Sequence, residues 1–325
     1  MINKLSVYVS ESFNVYRNLA TEKYLFDTVG CDEIILYLWQ NENTAVIGRN
    51  QNAFAECNTT FAKERHIAIA RRLSGGGAVY HDLGNLNFTF ISDKNNLDVT
   101  KNMLIIADAC NMAGIETTLS GRNDILCNDR KFSGNAFYNS GEKAYHHGTI
   151  MINCDTEKMQ KILTPSLEKL ASKGVKSVKS RVMNLSEVSP SLTCEQMKEY
   201  LISCFEKHYG KKAFYIKDVD KCTVSTLADE YSKYEYVFAK SPVFSFSAKG
   251  RFAWGSIEIM PKVKNGFIDS ITIFSDSLIW QLPDIIKNTL CGCKFSGNDV
   301  TQKLCGALGE DMAKDIAALL FKSEV

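Results

Sequence analysis

Proline is scarce in this chain, five residues in 325, and no apolar run approaches the roughly 18 residues that a membrane-spanning helix requires. Neither sign of charge prevails: 38 Lys and Arg stand against 37 Asp and Glu, a formal net charge of +1. Global charge therefore argues for neither a nucleic-acid partner nor a membrane surface. Low-complexity tracts and internal repeats are missing as well, which excludes repeat architectures. The opening MINKLSVYVSES has no long apolar segment of the secretory kind and no Arg-rich, acid-poor transit character. A cytoplasmic monomer is expected. Cysteine is plentiful, eleven residues, but scattered. The close pair Cys291 and Cys293 lacks both the C-x2-C spacing and the second pair of a zinc site, so no metal ligand is assigned. Reduced thiols packed as small hydrophobes are expected instead.

What is present reads as an ordinary globular enzyme: 45% hydrophobic and 23% charged residues, long enough for about two domains. Val15, Leu19, Phe26 and Val29 share one helical face over 15–29. IILYLW at 34–39 and residues 44–47 read as strands, FAECNTTFAKERH at 54–66 as one helix, and IAIARR at 67–72 as a strand. LNFTFIS alternates Leu86, Phe88 and Phe90 on one side, the pattern of a half-buried strand. A helix over 100–113 ends at Gly114, and strands IETTL and DILCN bracket residues 121–124. Two further strands, 131–138 and 146–153, flank the turn-forming NSGEKA. Residues 164–192 carry Lys169, Lys173, Lys176, Lys179 and Arg181 without periodicity, read equally as a basic functional loop or a solvated stretch. A helix follows over 193–209. After about 240 the chain changes to two strands joined at Lys264-Asn265-Gly266 and three helices, 278–289, 297–306 and 309–321. The expected fold is α+β: mixed sheets with flanking helices over 1–240, then a small α+β domain over 241–325.

The chemistry concentrates in two stretches. SGGGAVYHDLGN at 74–85 places three glycines two residues beyond the pair Arg71-Arg72 and shortly before Asp82. Glycines in a row suit close approach of an anionic ligand to main-chain N–H groups, or simply a tight turn. A cationic fork, bare backbone and a carboxylate together favour phosphate chemistry. The run is no P-loop, since no G-K-[ST] follows, and no dinucleotide fingerprint, since a strand follows it. In GRNDILCNDRKFSGNAFY at 121–138, Lys131 sits beside the small Ser133, Gly134 and Ala136, as a lysine in a cleft or as an exposed strand residue. Asp124 and Asp129 could bind magnesium or begin turns. His146 and His147 are adjacent on a strand, so they face opposite sides and cannot easily share a metal. His81 reads as a packed histidine before it reads as a catalyst.

These stretches, with HHGTIMIN at 146–153, GVKSVKSRVMNL at 174–185, RFAWGSIEI and FSDSL, resemble the lipoate–protein ligase family, in order and over nearly the whole chain. The resemblance implies a biotin/lipoate ligase fold with a small C-terminal accessory domain. It also implies the reaction: lipoate is activated with ATP to lipoyl-AMP, and the lipoyl group then passes to a lysine of an acceptor. The implied acceptors are apo lipoyl domains of 2-oxoacid dehydrogenase complexes and the glycine cleavage H protein. By motif, Arg71 resembles the arginine near the adenylate. Gly76, Gly77, Ala78 and Val79 resemble the loop that binds nucleotide and lipoate. Lys131 resembles the lysine at the acyl phosphate, and 174–185 the adenylate-binding loop, which includes Lys179 and Arg181. Arg72, Gly75, His81, Asp124, Ser133 and Gly134 join the candidate set, with Lys131 as its catalytic member. Magnesium is expected through the nucleotide phosphates.

Adenylation fits the absence of a Ser-His-Asp or Cys-His set, because the substrate carboxylate is itself the nucleophile and the enzyme supplies position and positive charge. The alternatives are an ATP-independent octanoyl or lipoyl transferase, in which Cys127 or Cys154 would carry a thioester, a biotin ligase, disfavoured because no G-R-G-R loop is present, and a non-enzymatic binding module.

Overall fold

The computed structural model describes residues 2–120, 124–164, 182–240, 244–277, 279 and 281–321. They pack as two compact units, Met1–Arg49 with Ile67–Ser232, and Asn50–His66 with Lys233–Val325.

The first unit begins with β1 (Lys4–Val9), α1 (Val15–Thr28), β2 (Glu33–Trp39) and β3 (Thr44–Ile47). After the excursion into the second unit come β4 (Ala68–Arg71), β5 (Val79–His81), β6 (Asn85–Asp93), α2 (Val99–Met112) and β7 (Thr118–Ser120). Then follow β8 (Asp124–Cys127), β9 (Arg130–Ser140), β10 (Lys143–Met151), α3 (Thr156–Ile162), α4 (Cys194–Tyr209), β11 (Phe214–Tyr215) and α5 (Lys221–Ser232). Among the described residues, eight strands form one sheet in the order β11-β1-β2-β6-β10-β9-β8-β7, and β4-β3-β5 form a small second sheet. The large sheet is mixed: β1 runs parallel to β2 and β11, while the pairings from β2 onward are antiparallel.

Local signals explain the long helices. The Asn14 side chain accepts from the Arg17 N–H, Asp98 caps α2, and Thr193 with Gln196 forms a capping box on α4. Gly210, at φ 63°, ends α4 in the left-handed region. β8 and β9 are joined by Asn128 and Asp129, both at positive φ, as a two-residue hairpin turn requires. Asp129 is thus a turn residue. β1, α3 and α5 lie outside the elements read from the sequence, and the single helix expected over 54–66 is two short ones, Ala53–Glu56 and Thr59–Glu64. Asn58 separates them by capping the second through the Phe61 N–H.

One sheet face packs on α2 and α4, with Phe88, Phe90, Ile105, Ile106, Leu201 and Phe205 in one buried cluster. The expected half-buried β6 is instead buried on both faces, because Asn87 and Thr89 are covered too. On that second side α1 presents buried polar residues, Asn18, Thr21 and Glu22. Hydrogen bonds across this layer offset the desolvation cost: Asn18 donates to the carbonyls of Ser12 and Gln40, and Thr89 to Glu22.

The second unit has its own core. In it β14 (Gly255–Lys264) pairs with β12 (Phe244–Ser245), β13 (Ala248–Phe252) and β15 (Phe267–Ser275). Asn265 and Gly266, both at positive φ, make the β14–β15 hairpin turn. Helices α6 (Leu282–Leu290), α7 (Gly297–Leu308) and α8 (Glu310–Phe321) cover the sheet, burying Ile286, Leu304 and Ile316 with Ile257, Ile259 and Ile268.

Candidate active site

Strand alternation sends the two arginines at the end of β4 in different directions. Arg71 is buried, and its Nη1 donates to the carbonyl oxygens of Gly48 (3.2 Å) and Arg49 (3.0 Å). Arg72 turns to the glycine run: Nη2 donates to Gly75 O (2.6 Å) and Gly77 O (2.8 Å), and Nε to Ser74 Oγ (3.0 Å). Burial pulls Arg72 down to about 10, so it keeps its charge at neutral pH. Ser74 Oγ also meets His147 Nε2 at 2.7 Å, and His147 Nδ1 meets Glu22 Oε1 at 2.8 Å. The glycine run is therefore held from behind by a buried polar chain.

The glycines answer to different constraints. Gly76 sits at φ 90°, and a Cβ there would lie 2.9 Å from Arg72 Nη2. At Gly75 and Gly77 a Cβ would meet no protein atom within 4 Å. The fold alone thus does not demand glycine at those two positions.

A β-bulge aims Lys131. On β9, Ala136 pairs with His147, Asp124 with Gly134 and Ile125 with Ser133, yet Leu126 pairs with Lys131. One extra residue, Phe132, is inserted, so the face that carries Ala136 and Gly134 continues with Lys131 rather than Phe132. Phe132 and Ser133 are both completely buried. Lys131 Nζ donates to Asp124 Oδ1 at 2.6 Å across the hairpin. Gly134 makes room for the amine, since a Cβ there would lie 2.7 Å from Nζ. The next strand is equally bare: a Cβ on Gly148 would meet Phe88, Asn135 and the Gly134 carbonyl, each within 2.7 Å.

These features enclose a cavity of about 260 Å³. Arg72, Gly76, Gly77, Ala78, Val79, His81, Asp124, Lys131 and Gly134 all line it. Its apolar walls come from Leu19, Trp39 and Val46. Arg71, Gly75 and Ser133 do not line it: Arg71 points to the Gly48–Arg49 carbonyls, Gly75 sits behind its own carbonyl bond to Arg72, and the bulge turns Ser133 into the sheet. Lys179 and Arg181 lie outside the described residues, as does most of the segment 174–185. That segment's last part is anchored, because Val182 bridges to Lys131 and Met183 N donates to Lys131 O at 2.9 Å.

Other polar candidates have defined structural partners. Asp82 accepts from the backbone N–H groups of Gly84 (2.9 Å) and Asp155 (2.8 Å), so it fixes a turn. His81 Nδ1 lies 3.0 Å from Asn41 Nδ2, and burial pulls its pKa down to about 3, with the charges of Arg72 and His147 adding to the effect. His146 meets Asn135 Oδ1 at 2.8 Å and packs on Phe137; burial takes it to about 3 as well. The adjacent histidines do face opposite sides: His146 joins the aromatic core and His147 the cavity. Cys127 and Cys154 are buried, do not line the cavity, and have their thiols pushed up by burial. Sequence reasoning passed over Glu22, Trp39 and Asn41. A carboxylate in the interior of an amphipathic helix reads as solvated until its partners from other strands are known.

The family description "Lipoyl protein ligase A/B catalytic domain" matches residues 14–206, which contain every cavity-lining residue named above. The chain belongs to this family. A second description, "Bacterial lipoate protein ligase C-terminus", matches residues 241–320. The chain is similar to lipoate-protein ligase A of Bdellovibrio bacteriovorus, 37% identical over 322 residues, 95% of this chain and 94% of that protein. It is also similar to lipoate-protein ligase A of Psychrobacter cryohalolentis, 36% identical over 310 residues, 92% and 91% of the two chains. Among solved structures, P. falciparum LipL1 in complex with lipoate aligns with a TM-score of 0.65 at 32% identity, covering 98% of this chain and all of that one. The mixed sheet with flanking helices matches lipoate ligase structures, and the C-terminal unit adds helices and a small sheet.

Proposed function

We propose that this protein joins lipoate to ATP as lipoyl-AMP and then transfers the lipoyl group to a lysine of apo lipoyl domains, those of 2-oxoacid dehydrogenase complexes and of the glycine cleavage H protein. The observation that carries this reading is that Lys131 and the bare backbone of Gly76 and Gly77 line one cavity with an apolar wall. Gly77, a cavity-lining position where the fold does not itself require glycine, supports a ligand lying against the loop. The named relatives, lipoate-protein ligases over more than nine-tenths of the chain, support the substrate.

In the first step a lipoate carboxylate oxygen attacks the α-phosphorus of ATP. The acyl-oxygen–phosphorus bond forms, the bond to the β-phosphate breaks, and pyrophosphate leaves. Charge grows on the phosphoryl oxygens, where the Lys131 ammonium is positioned to stabilise it. Trp39, Leu19 and Val46 take up the apolar acyl chain. Among the described residues no three His, Cys, Asp or Glu side chains converge as a metal site. Magnesium would enter as a companion of the triphosphate, with Asp124 the nearby carboxylate, and would supply charge neutralisation there. In the second step the acceptor amine attacks the acyl carbon, the C–N bond forms, and AMP leaves with its oxygen. Lys131 beside that amine favours its neutral, nucleophilic form. The C-terminal unit is proposed as an accessory domain, with the division near residue 240.

The test combines protein, ATP, magnesium, lipoate and an apo lipoyl domain. A gain of one lipoyl group per acceptor with matching AMP release is expected. Modification that proceeds without ATP would identify a transferase instead, and no modification at all would reject both.

A further inference from the structure

Glu22 is a charged side chain with 1% exposure in the middle of α1, and the reaction proposed above gives it no part. Its Oε1 receives Thr89 Oγ1 at 2.7 Å and His147 Nδ1 at 2.8 Å. Each contact begins a path to the cavity wall. Thr89 Oγ1 in turn accepts from Trp39 Nε1 at 3.1 Å. His147 Nε2 meets Ser74 Oγ at 2.7 Å, and Ser74 accepts from Arg72 Nε at 3.0 Å. Arg72 then holds the carbonyls of Gly75 and Gly77. The distances are satisfied together when Nδ1 of His147 carries the hydrogen and Nε2 accepts from Ser74.

We propose that Glu22 is a positioning residue: one buried carboxylate fixes both the acyl-side wall at Trp39 and the glycine loop that faces the reacting phosphate. The claim rests on the functional reading above for its kinetic consequence, though not for its structural one. Three observations carry it. The chain is continuous, with every contact at or below 3.1 Å from Trp39 to Gly77. Its charged ends are both buried, so Glu22 is the counter-charge of the Arg72 guanidinium across His147 and Ser74. And the loop it holds contains Gly76 at φ 90°, a conformation open to glycine without strain, so the loop's place is set by the Arg72 bonds to the Gly75 and Gly77 carbonyls. Neutralising Glu22 loosens Arg72, and Arg72 releases the loop carbonyls.

Glu22→Gln keeps the side-chain shape and removes the charge. Lipoate-dependent ATP–pyrophosphate exchange is expected to lose about 10- to 100-fold in kcat, as small misplacements of reacting groups do, with KM for lipoate changed by less than about threefold. Ser74→Ala breaks the same path at its other end and should show the same split, and it carries the test if Glu22→Gln does not fold. The double variant should be no slower than the worse single, since both act through one chain. Hydrogen exchange of the ligand-free protein supplies a second readout: the amides of residues 75–78 should exchange faster in both variants while those of β6 do not. Wild-type kcat with unchanged exchange at 75–78, or losses that multiply in the double variant, would overturn the proposal. If the wild-type protein itself shows no lipoate-dependent exchange, the functional reading fails, and the amide readout still decides whether Glu22 positions the loop.

Discussion

Lys131 Nζ and Asp124 Oδ1 are 2.6 Å apart on the two strands of one hairpin, each side chain about four-fifths shielded from solvent. The pair presents the amine to the cavity in a fixed place, with a carboxylate as its partner. Lys131→Ala is expected to lower ATP–pyrophosphate exchange by about 10²–10³-fold, the usual effect of removing one transition-state donor. Asp124→Asn, which leaves the amine but loosens it, should lose less. A Lys131→Ala protein exchanging at the wild-type rate would remove the lysine from the mechanism.

Gly134→Ala tests the space that Lys131 occupies. The added methyl would sit 2.7 Å from Nζ and 2.9 Å from Cε, the mobile end of a flexible side chain, so the amine can swing away at little cost. Activity should fall by about tenfold or more while the unfolding free energy changes by less than about 1 kcal/mol. A large loss of stability with intact specific activity would contradict this.

Gly48→Ala is expected to do the reverse. Its Cβ would meet the Gly76 carbonyl oxygen at 2.4 Å, backbone against backbone, so neither side can yield by a rotamer change. A destabilisation of about 1–3 kcal/mol is expected in urea unfolding, as overpacking produces.

The buried histidines set an acid limit. His146 titrates in the unfolded chain near pH 6.5 but in the native protein only near pH 3. The unfolded state therefore binds more protons between those values, and the contribution of His146 is fully present above pH 6.5 and is lost as pH falls towards 3. Between pH 7.5 and pH 5 the loss approaches about 2 kcal/mol for this residue. His146→Leu should be less stable at pH 7.5 yet show a flatter decline to pH 5, measured by urea titration at each pH.

Much of this was legible in the sequence. The first helix was legible from the apolar face of Val15, Leu19 and Phe26, the helix ending at Met112 from Gly114 beyond it, and the hairpin at Asn265-Gly266 from its turn residues. The glycine run, Arg72 and Lys131 stood out as candidates, with a tight turn and an exposed strand lysine as the alternatives, and the family resemblance joined them into one site. The errors have a common physical cause. Arg71 and Ser133 lie off the cavity, and Glu22 was passed over, because side-chain direction depends on pairing partners remote in the chain: a strand end sends Arg71 away, a bulge sets Ser133 apart from Lys131, and strands β6 and β10 bury Glu22.

Thiol labelling separates ligation from a thioester route. Cys31, Cys222 and Cys291 are exposed, whereas Cys127 and Cys154 are buried with thiols pushed up. Brief treatment with iodoacetamide at pH 7.5 should modify the exposed group, spare Cys127 and Cys154, and leave pyrophosphate exchange unchanged, as read by peptide mass mapping. Inactivation that tracks alkylation of either buried cysteine would favour the acyl-enzyme alternative.

The insertion at Phe132 lets one strand serve two masters. Because the pleat skips a beat there, three neighbouring positions divide their labour: the lysine goes to the chemistry, while the phenylalanine and serine go to the hydrophobic interior. A shortened chain lacking Phe132 would restore regular alternation and still point the lysine outward, yet leave a void the size of a benzyl group beneath it. The single extra residue thus fills the interior beneath a lysine whose direction it leaves unchanged.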